Sequence, residues 1–275
     1  MVTQEQRRRQ LAREKLERQQ QRRAAARTKA QKRNVLIAGG LVLALIAGLM
    51  VALAGLFDSD DDKKDEAERP KDPCAQPAAG EPSGQTWKKE PKVTIDKSAA
   101  YSMKLATTCG DLTIGLDAKN APHTVNSFNF LAGKGYFDHT RCHRLTNQGI
   151  YVLQCGDPKG DGTGTPGYTI PDENLKDPKL KGNVYPAGTI AMANRYNPQP
   201  AKGESKNENS GGSQFFIVYQ DSELPPYYTP FGQLTGGQDA LKKITEAGAT
   251  APDPQTGNTA PIATVVINKA TVTRS

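Results

Sequence analysis

Three histidines and four cysteines in 275 residues leave few side chains for acid–base, nucleophilic or metal chemistry, so each candidate can be weighed against its neighbours. Arg144 stands in a strand-like run, His143-Arg144-Leu145, with a second such run, Tyr151-Val152-Leu153-Gln154, close behind. If the two runs pair, Arg144 and Gln154 are free to point to one side. A guanidinium beside apolar strand residues is costly unless it faces water or a ligand. His139, Cys142 and His143 are of metal-ligand type, but no fourth ligand is evident, and on a strand Cys142 faces away from both histidines. Ser213 lacks the Gly-x-Ser-x-Gly elbow of a serine nucleophile. Gly162-x-Gly164-x-x-Gly167 has the letters of a dinucleotide fingerprint, yet Pro166 sits where its helix should start. What remains is a cation beside apolar strands, with no nucleophile, metal or cofactor.

These residues need a scaffold. From about Ser98 onward, short alternating segments such as 102–106 and 111–116 are separated by Gly and Asn turns, the pattern of half-buried strands. The run 182–195 reads as a turn and then a strand ending at Asn194. Residues 215–219 are too apolar for a surface loop and predict a buried strand entered from a tight turn. Two segments read as helix. One, 120–131, opens with Asn120 and Pro122, keeps Val125, Phe128 and Leu131 on one face, and stops at Gly133. The other, 238–247, turns Leu241 and Ile244 inward and stops at Gly248. Residues 264–273 form a last, edge-sealing strand. The sum is a mainly β fold, a closed antiparallel barrel capped at its ends.

The N-terminal third has a different texture. Residues 35–57 contain no charged or strongly polar side chain. As a helix at ~1.5 Å per residue they reach about 35 Å, enough for a ~30 Å hydrocarbon layer, which predicts a single transmembrane helix. Ala52-Leu53-Ala54 has the form a signal peptidase reads, but the long basic and apolar runs favour an uncleaved anchor. Residues 1–57 carry 12 Lys and Arg against 3 Asp and Glu, whereas 58–275 carry 24 against 26. The basic tail, 1–34, therefore orients the chain with its N terminus in the cytoplasm and lies against anionic membrane lipid. The bulk of the chain lacks the basic surface of a nucleic-acid binder. Residues 58–92, with an acidic run and five prolines, read as an extended tether. Trp87, the only tryptophan, is expected to tack its end onto a folded domain, 93–275, outside the cytoplasm.

That domain resembles the cyclophilin family of peptidyl-prolyl isomerases. The likeness runs through Ala121-Pro122-His123-Thr124-Val125-Asn126-Ser127-Phe128, Gly135-Tyr136-Phe137-Asp138, His143-Arg144, Gln154-Cys155-Gly156-Asp157, Gly162-Thr163-Gly164, Ala191-Met192-Ala193-Asn194, Gly212-Ser213-Gln214-Phe215-Phe216 and Phe231-Gly232. The whole layout looks like the membrane-anchored cyclophilins of actinobacteria. The resemblance implies an eight-stranded barrel with two capping helices and a groove for proline-containing polypeptides on its outer face. It implies that Arg144 donates to the proline nitrogen and that Phe216, Val152 and Leu224 form the pocket for the ring. Gln154 would hold the arginine and a substrate carbonyl, and the Asn194 backbone would grip the residue before proline. Gln214, Ala193 and Gly162 would line the rest, with His143 beside the groove.

The sequence also departs from the common pattern. Two extra residues lie between Arg144 and Gln154, so either Tyr151 or Ile150 takes the place of the usual Phe. The family's frequent groove Trp and His fall at Glu223 and Tyr228, which predicts weak binding of cyclosporin. A polar insertion, 195–210, bears on substrate choice. Four cysteines allow three pairings. Cys142 and Cys155 are on strands expected to be neighbours, which favours that bridge and leaves Cys74 with Cys109 to pin the tether. The expected function is isomerisation of Xaa-Pro bonds in extracytoplasmic proteins by a monomer. The alternative is a non-catalytic chaperone or scaffold module for proline peptides.

Overall fold

The computed structural model describes residues 72–275 except 198, 201, 203 and 204. The basic tail, the apolar run 35–57 and the first part of the tether lie outside the described residues. Among the described residues, 72–275, no helix is long and apolar enough to cross a membrane.

Among the described residues, eleven strands and two α-helices follow in the order β1 (Tyr101–Thr107), β2 (Gly110–Leu116), α1 (Pro122–Gly133), β3 (Thr140–Arg141), β4 (Arg144–Gln148), β5 (Ile150–Cys155), β6 (Val184–Tyr185), β7 (Thr189–Met192), β8 (Phe215–Val218), β9 (Ser222–Glu223), β10 (Pro230–Gly236), α2 (Gln238–Ala247) and β11 (Val266–Arg274). Nine strands form one curled antiparallel sheet in the order β3-β11-β1-β2-β10-β7-β8-β5-β4, and β6 pairs with β9 in a separate ribbon. This corrects the eight-stranded closed barrel: no ladder joins the end strands β3 and β4. The irregular segment 259–265 fills that seam instead. Its Val265 O accepts from Cys142 N, its Thr259 O accepts from Leu145 N, and the Thr259 hydroxyl donates to Leu145 O. Nor does β11 seal an edge, because it lies between β3 and β1.

Strand alternation divides the apolar residues into two clusters. Leu153, Cys155, Phe215, Ile217, Ile190 and Met192 face the main core. Their strand neighbours Val152, Phe216, Val218 and Ala191 face the other side and pack with Tyr185 and Leu224. A sheet apolar on both faces needs cover on both. On the core side α1 supplies it, placing the Phe128 ring 4.6 Å from Phe231, 5.2 Å from Phe137 and 5.5 Å from Phe215. The helix starts at Pro122, but its N-cap is Ala121, which has no capping side chain. The Glu173 carboxylate takes that role, accepting from His123 N at 3.0 Å and Thr124 N at 2.9 Å, as an anion at the positive end of a helix should. In α2, Leu241 and Ile244 are buried as the periodicity requires.

Residues 72–92 have no regular secondary structure, yet they form a strap on the domain and not a stand-off tether. Cys74 is bridged to Cys109, and Ala75 N donates to Thr108 O. Glu90 Oε1 lies 2.7 Å from His123 Nδ1, and the Pro91 and Lys92 carbonyls accept from the Asn126 amide. The folded unit therefore extends back to Asp72, well before residue 93.

Candidate active site

The hairpin β4–β5 turns at Gly149, whose φ of +74° suits glycine, and places Arg144 opposite Gln154, Asn147 opposite Tyr151 and Gln148 opposite Ile150. The two extra residues thus add one pair to the hairpin's tip. An even insertion preserves facing, so Arg144 and Gln154 stay on the outer side with Val152. The same parity decides between Ile150 and Tyr151. Ile150 packs on the outer cluster, whereas the Tyr151 ring lies 5.8 Å from Tyr219 and belongs to the other face. Tyr151, expected to bind substrate, therefore lies on the face opposite Val152 and Phe216.

On β8, Phe216 sits between Gln154 of β5 and Ala191 of β7. It is buried among Val152, Leu224, Tyr185 and Val218, with Ala193 and Tyr228 packed at the margin. The Tyr228 ring stands edge-on to Phe216 at 5.4 Å. Beneath them the Tyr185 hydroxyl donates to Tyr228 O at 2.8 Å, and burial pushes its pKa up to about 12. Tyr185 and Leu180 belong to this cluster without a signal in the sequence, since one lies on a two-residue strand and the other in a loop. Val218 and Ala191 follow from alternation out of Phe216.

Polar groups run along one side of this apolar floor. Arg144 Nη1 donates to Gln154 Oε1 at 3.3 Å, Gln154 Nε2 to Gln214 Oε1 at 2.9 Å, and Gln214 Nε2 to the carbonyls of Gly162 and Gly164 at 2.9 and 3.0 Å. Arg144 is half-buried, and burial lowers its pKa from the ordinary guanidinium value, with Tyr228 opposing. It remains a cation. Among the described residues it has no carboxylate partner, and its other N–H groups are unengaged. Asn194 is fixed by its side chain, which donates to Tyr227 O at 2.6 Å and accepts from Tyr196 N. Its backbone groups take no partner among the described residues. Next to them a cleft of about 290 Å³ opens between Gln154, Gly162–Thr165, Ala193–Arg195 and Gln214.

The remaining candidates lie outside the pocket. His143 is by Gly162, with Nδ1 buried and unpartnered and its pKa lowered chiefly by burial. Glu223 is exposed on the β6–β9 ribbon. Cys142 is bonded to Cys155, so it offers no thiolate to a metal. The buried Ser213 hydroxyl donates to Gly156 O, which leaves it no role as a nucleophile.

The arrangement provides an apolar pocket with one under-coordinated cation at its rim and free backbone groups beside it. The family model for cyclophilin type peptidyl-prolyl cis-trans isomerase/CLD matches residues 102–272. The probable peptidyl-prolyl cis-trans isomerase B of Mycobacterium leprae is 46% identical over 166 residues, covering 57% of this chain and 52% of its own length. This chain thus spans about half the length of that relative. Peptidyl-prolyl cis-trans isomerase cypE of Dictyostelium discoideum is 34% identical over 174 residues, 62% of this chain and 96% of that protein. A solved cyclophilin type peptidyl-prolyl cis-trans isomerase of Cryptosporidium parvum is 28% identical, with a TM-score of 0.49 over 63% of this chain and 98% of that one. The chain belongs to the cyclophilin type of peptidyl-prolyl cis-trans isomerases.

Proposed function

We propose that this chain accelerates the cis–trans rotation of Xaa-Pro bonds in proteins outside the cytoplasm, as a monomer anchored by residues 35–57. The observation that carries the reading is the half-buried Arg144 at the rim of the Phe216 pocket, which among the described residues has no carboxylate partner. Rotation about a peptide bond faces a barrier of about 18–20 kcal/mol because the nitrogen lone pair is delocalised into the carbonyl. In the twisted state the lone pair returns to nitrogen, which becomes an acceptor. Arg144 donates to that nitrogen while Phe216, Val152, Leu224, Ile150 and Tyr228 hold the ring. The Asn194 backbone and Gln154 hold the preceding residue and its carbonyl. A bond made only in the twisted state lowers the barrier without tightening ground-state binding. A charged hydrogen bond contributes about 1.5–3 kcal/mol, or roughly one to two decades in rate. Nothing in this step transfers a proton or needs a cofactor.

The location rests on the apolar run and the basic tail, which rests against anionic lipid. Both disulfides support it, since such bridges persist in oxidising compartments. Protease treatment of intact cells making the full chain should digest residues 72–275; protection of the domain until the cells are lysed would contradict this orientation. The activity is tested by peptide isomerisation with and without Arg144, where peptide affinity without catalysis would indicate a chaperone or scaffold module.

A further inference from the structure

The strap reaches the candidate site through Trp87. Its backbone N–H donates to Pro166 O at 2.8 Å, and a Cβ on Gly167, where φ is +88°, would meet Trp87 O at 2.6 Å. The two backbones are thus in direct contact. Pro166 lies in the 161–167 loop, whose Gly162 and Gly164 carbonyls hold the Gln214 amide. On its other side the Trp87 ring stands edge-on to Phe130 at 5.1 Å and tilted to Tyr136 at 5.9 Å. The Tyr136 hydroxyl lies 3.2 Å from Ser213 Oγ, next to Gln214. Two routes from Trp87, one through its backbone and one through its indole, therefore end at the same wall of the 290 Å³ cleft beside Asn194, and only the second depends on the side chain.

We propose that Trp87 is a positioning residue that sets the width of this cleft and so favours peptides extending into it on the N-terminal side of the proline. The proposal rests on the isomerase reading. A residue that only covered Phe130 would affect stability and treat all peptides alike. A residue that fixes the cleft wall discriminates by peptide length, because an extended chain advances about 3.3 Å per residue and only longer peptides reach the cleft.

The test compares Ala-Pro-Phe with Ala-Ala-Ala-Ala-Pro-Phe on the full chain in vesicles. Trp87→Ala should lower kcat/KM for the long peptide by about fivefold or more through KM, and leave the short one within about twofold. Trp87→Phe, which keeps a ring on Phe130, should restore most of the loss. Equal losses for both peptides, or none, overturn the proposal. Emission from Trp87, the only tryptophan, provides a reading on the unmodified chain however Trp87→Ala folds. A saturable shift with the long peptide alone supports the proposal, and no shift with either overturns it. Acceleration of neither peptide by the unmodified chain overturns the isomerase reading, and the emission result then decides the role of Trp87.

Discussion

Arg144 and Gln154 face one another across the β4–β5 ladder, and the guanidinium donates to the Gln154 amide oxygen at 3.3 Å. Gln154 passes the constraint on, donating to Gln214, which is anchored on the Gly162 and Gly164 carbonyls. A side chain with one strong partner is poorly fixed, whereas a guanidinium and two side-chain amides tied to backbone carbonyls hold each other's rotamers. The position of the cation is therefore a property of the network.

Gln154→Leu removes the link at nearly constant volume and leaves Arg144 Nη1 and Gln214 Oε1 without partners. Kinetics of peptide isomerisation should show kcat/KM down by about tenfold, with the fold intact by circular dichroism.

Phe216 is both floor and pocket. Phe216→Ala should cost about 3 kcal/mol of stability from the cavity left between Tyr185 and Tyr228. Thermal denaturation measures that loss, and a raised KM measures the loss of the pocket. Phe216→Leu should recover much of the first and less of the second.

Two kinds of buried group give opposite pH limits. Burial holds Tyr136, Tyr168 and Tyr185 up at about 12, above the ordinary 10. Their contribution is complete below the unfolded value and is lost as pH rises through the folded one, so tyrosinate absorbance should rise together with unfolding between those values. Burial lowers His143 below its ordinary 6.5. Its contribution is complete above that value and falls away as pH drops, because the unfolded imidazole binds the proton first. Thermal midpoints at about pH 5 and about pH 7.5 should therefore differ less in His143→Gln than in the unmodified chain.

The two disulfides span sequence separations of 35 and 13 residues. Chain entropy gives each about 3–4 kcal/mol, so reduction should lower the thermal midpoint clearly. Alkylation and mass measurement after digestion should show all four cysteines blocked before reduction. Free labelling of Cys142 and Cys155 without reductant would contradict the pairing.

Arg144 and Gln154 are legible as a pair on one side of the sheet because strand alternation assigns faces, and a cation on an apolar strand has few tolerable surroundings, whereas Phe216 reads from its neighbours only as part of a buried strand and its place in a pocket comes from the family resemblance. Both helices are legible from Pro122, Gly133 and Gly248. The choice between Ile150 and Tyr151 needs the hairpin register, which the sequence leaves open until Gly149 is known to be the turn. Two-residue strands such as β3, β6 and β9 are too short to carry a period, and Tyr185 is hidden for that reason. The strap reads as a tether because its anchors, Cys74, Trp87 and Glu90, are isolated residues in a proline-rich segment, and isolated contacts leave no periodic trace. The closed barrel fails at the one seam made by an irregular segment, 259–265.

The most direct test is the cis-to-trans rate of a short Xaa-Pro peptide with the full chain, beside Arg144→Ala and Arg144→Lys. The account predicts acceleration by the unmodified chain and a loss of about tenfold or more in Arg144→Ala, with the thermal midpoint not lowered, because a half-buried cation without a counter-charge stabilises little. Arg144→Lys should fail to restore the rate, since a point charge on a flexible stem does not reproduce the planar donor set. An Arg144→Ala chain as fast as the unmodified one would contradict the role of Arg144.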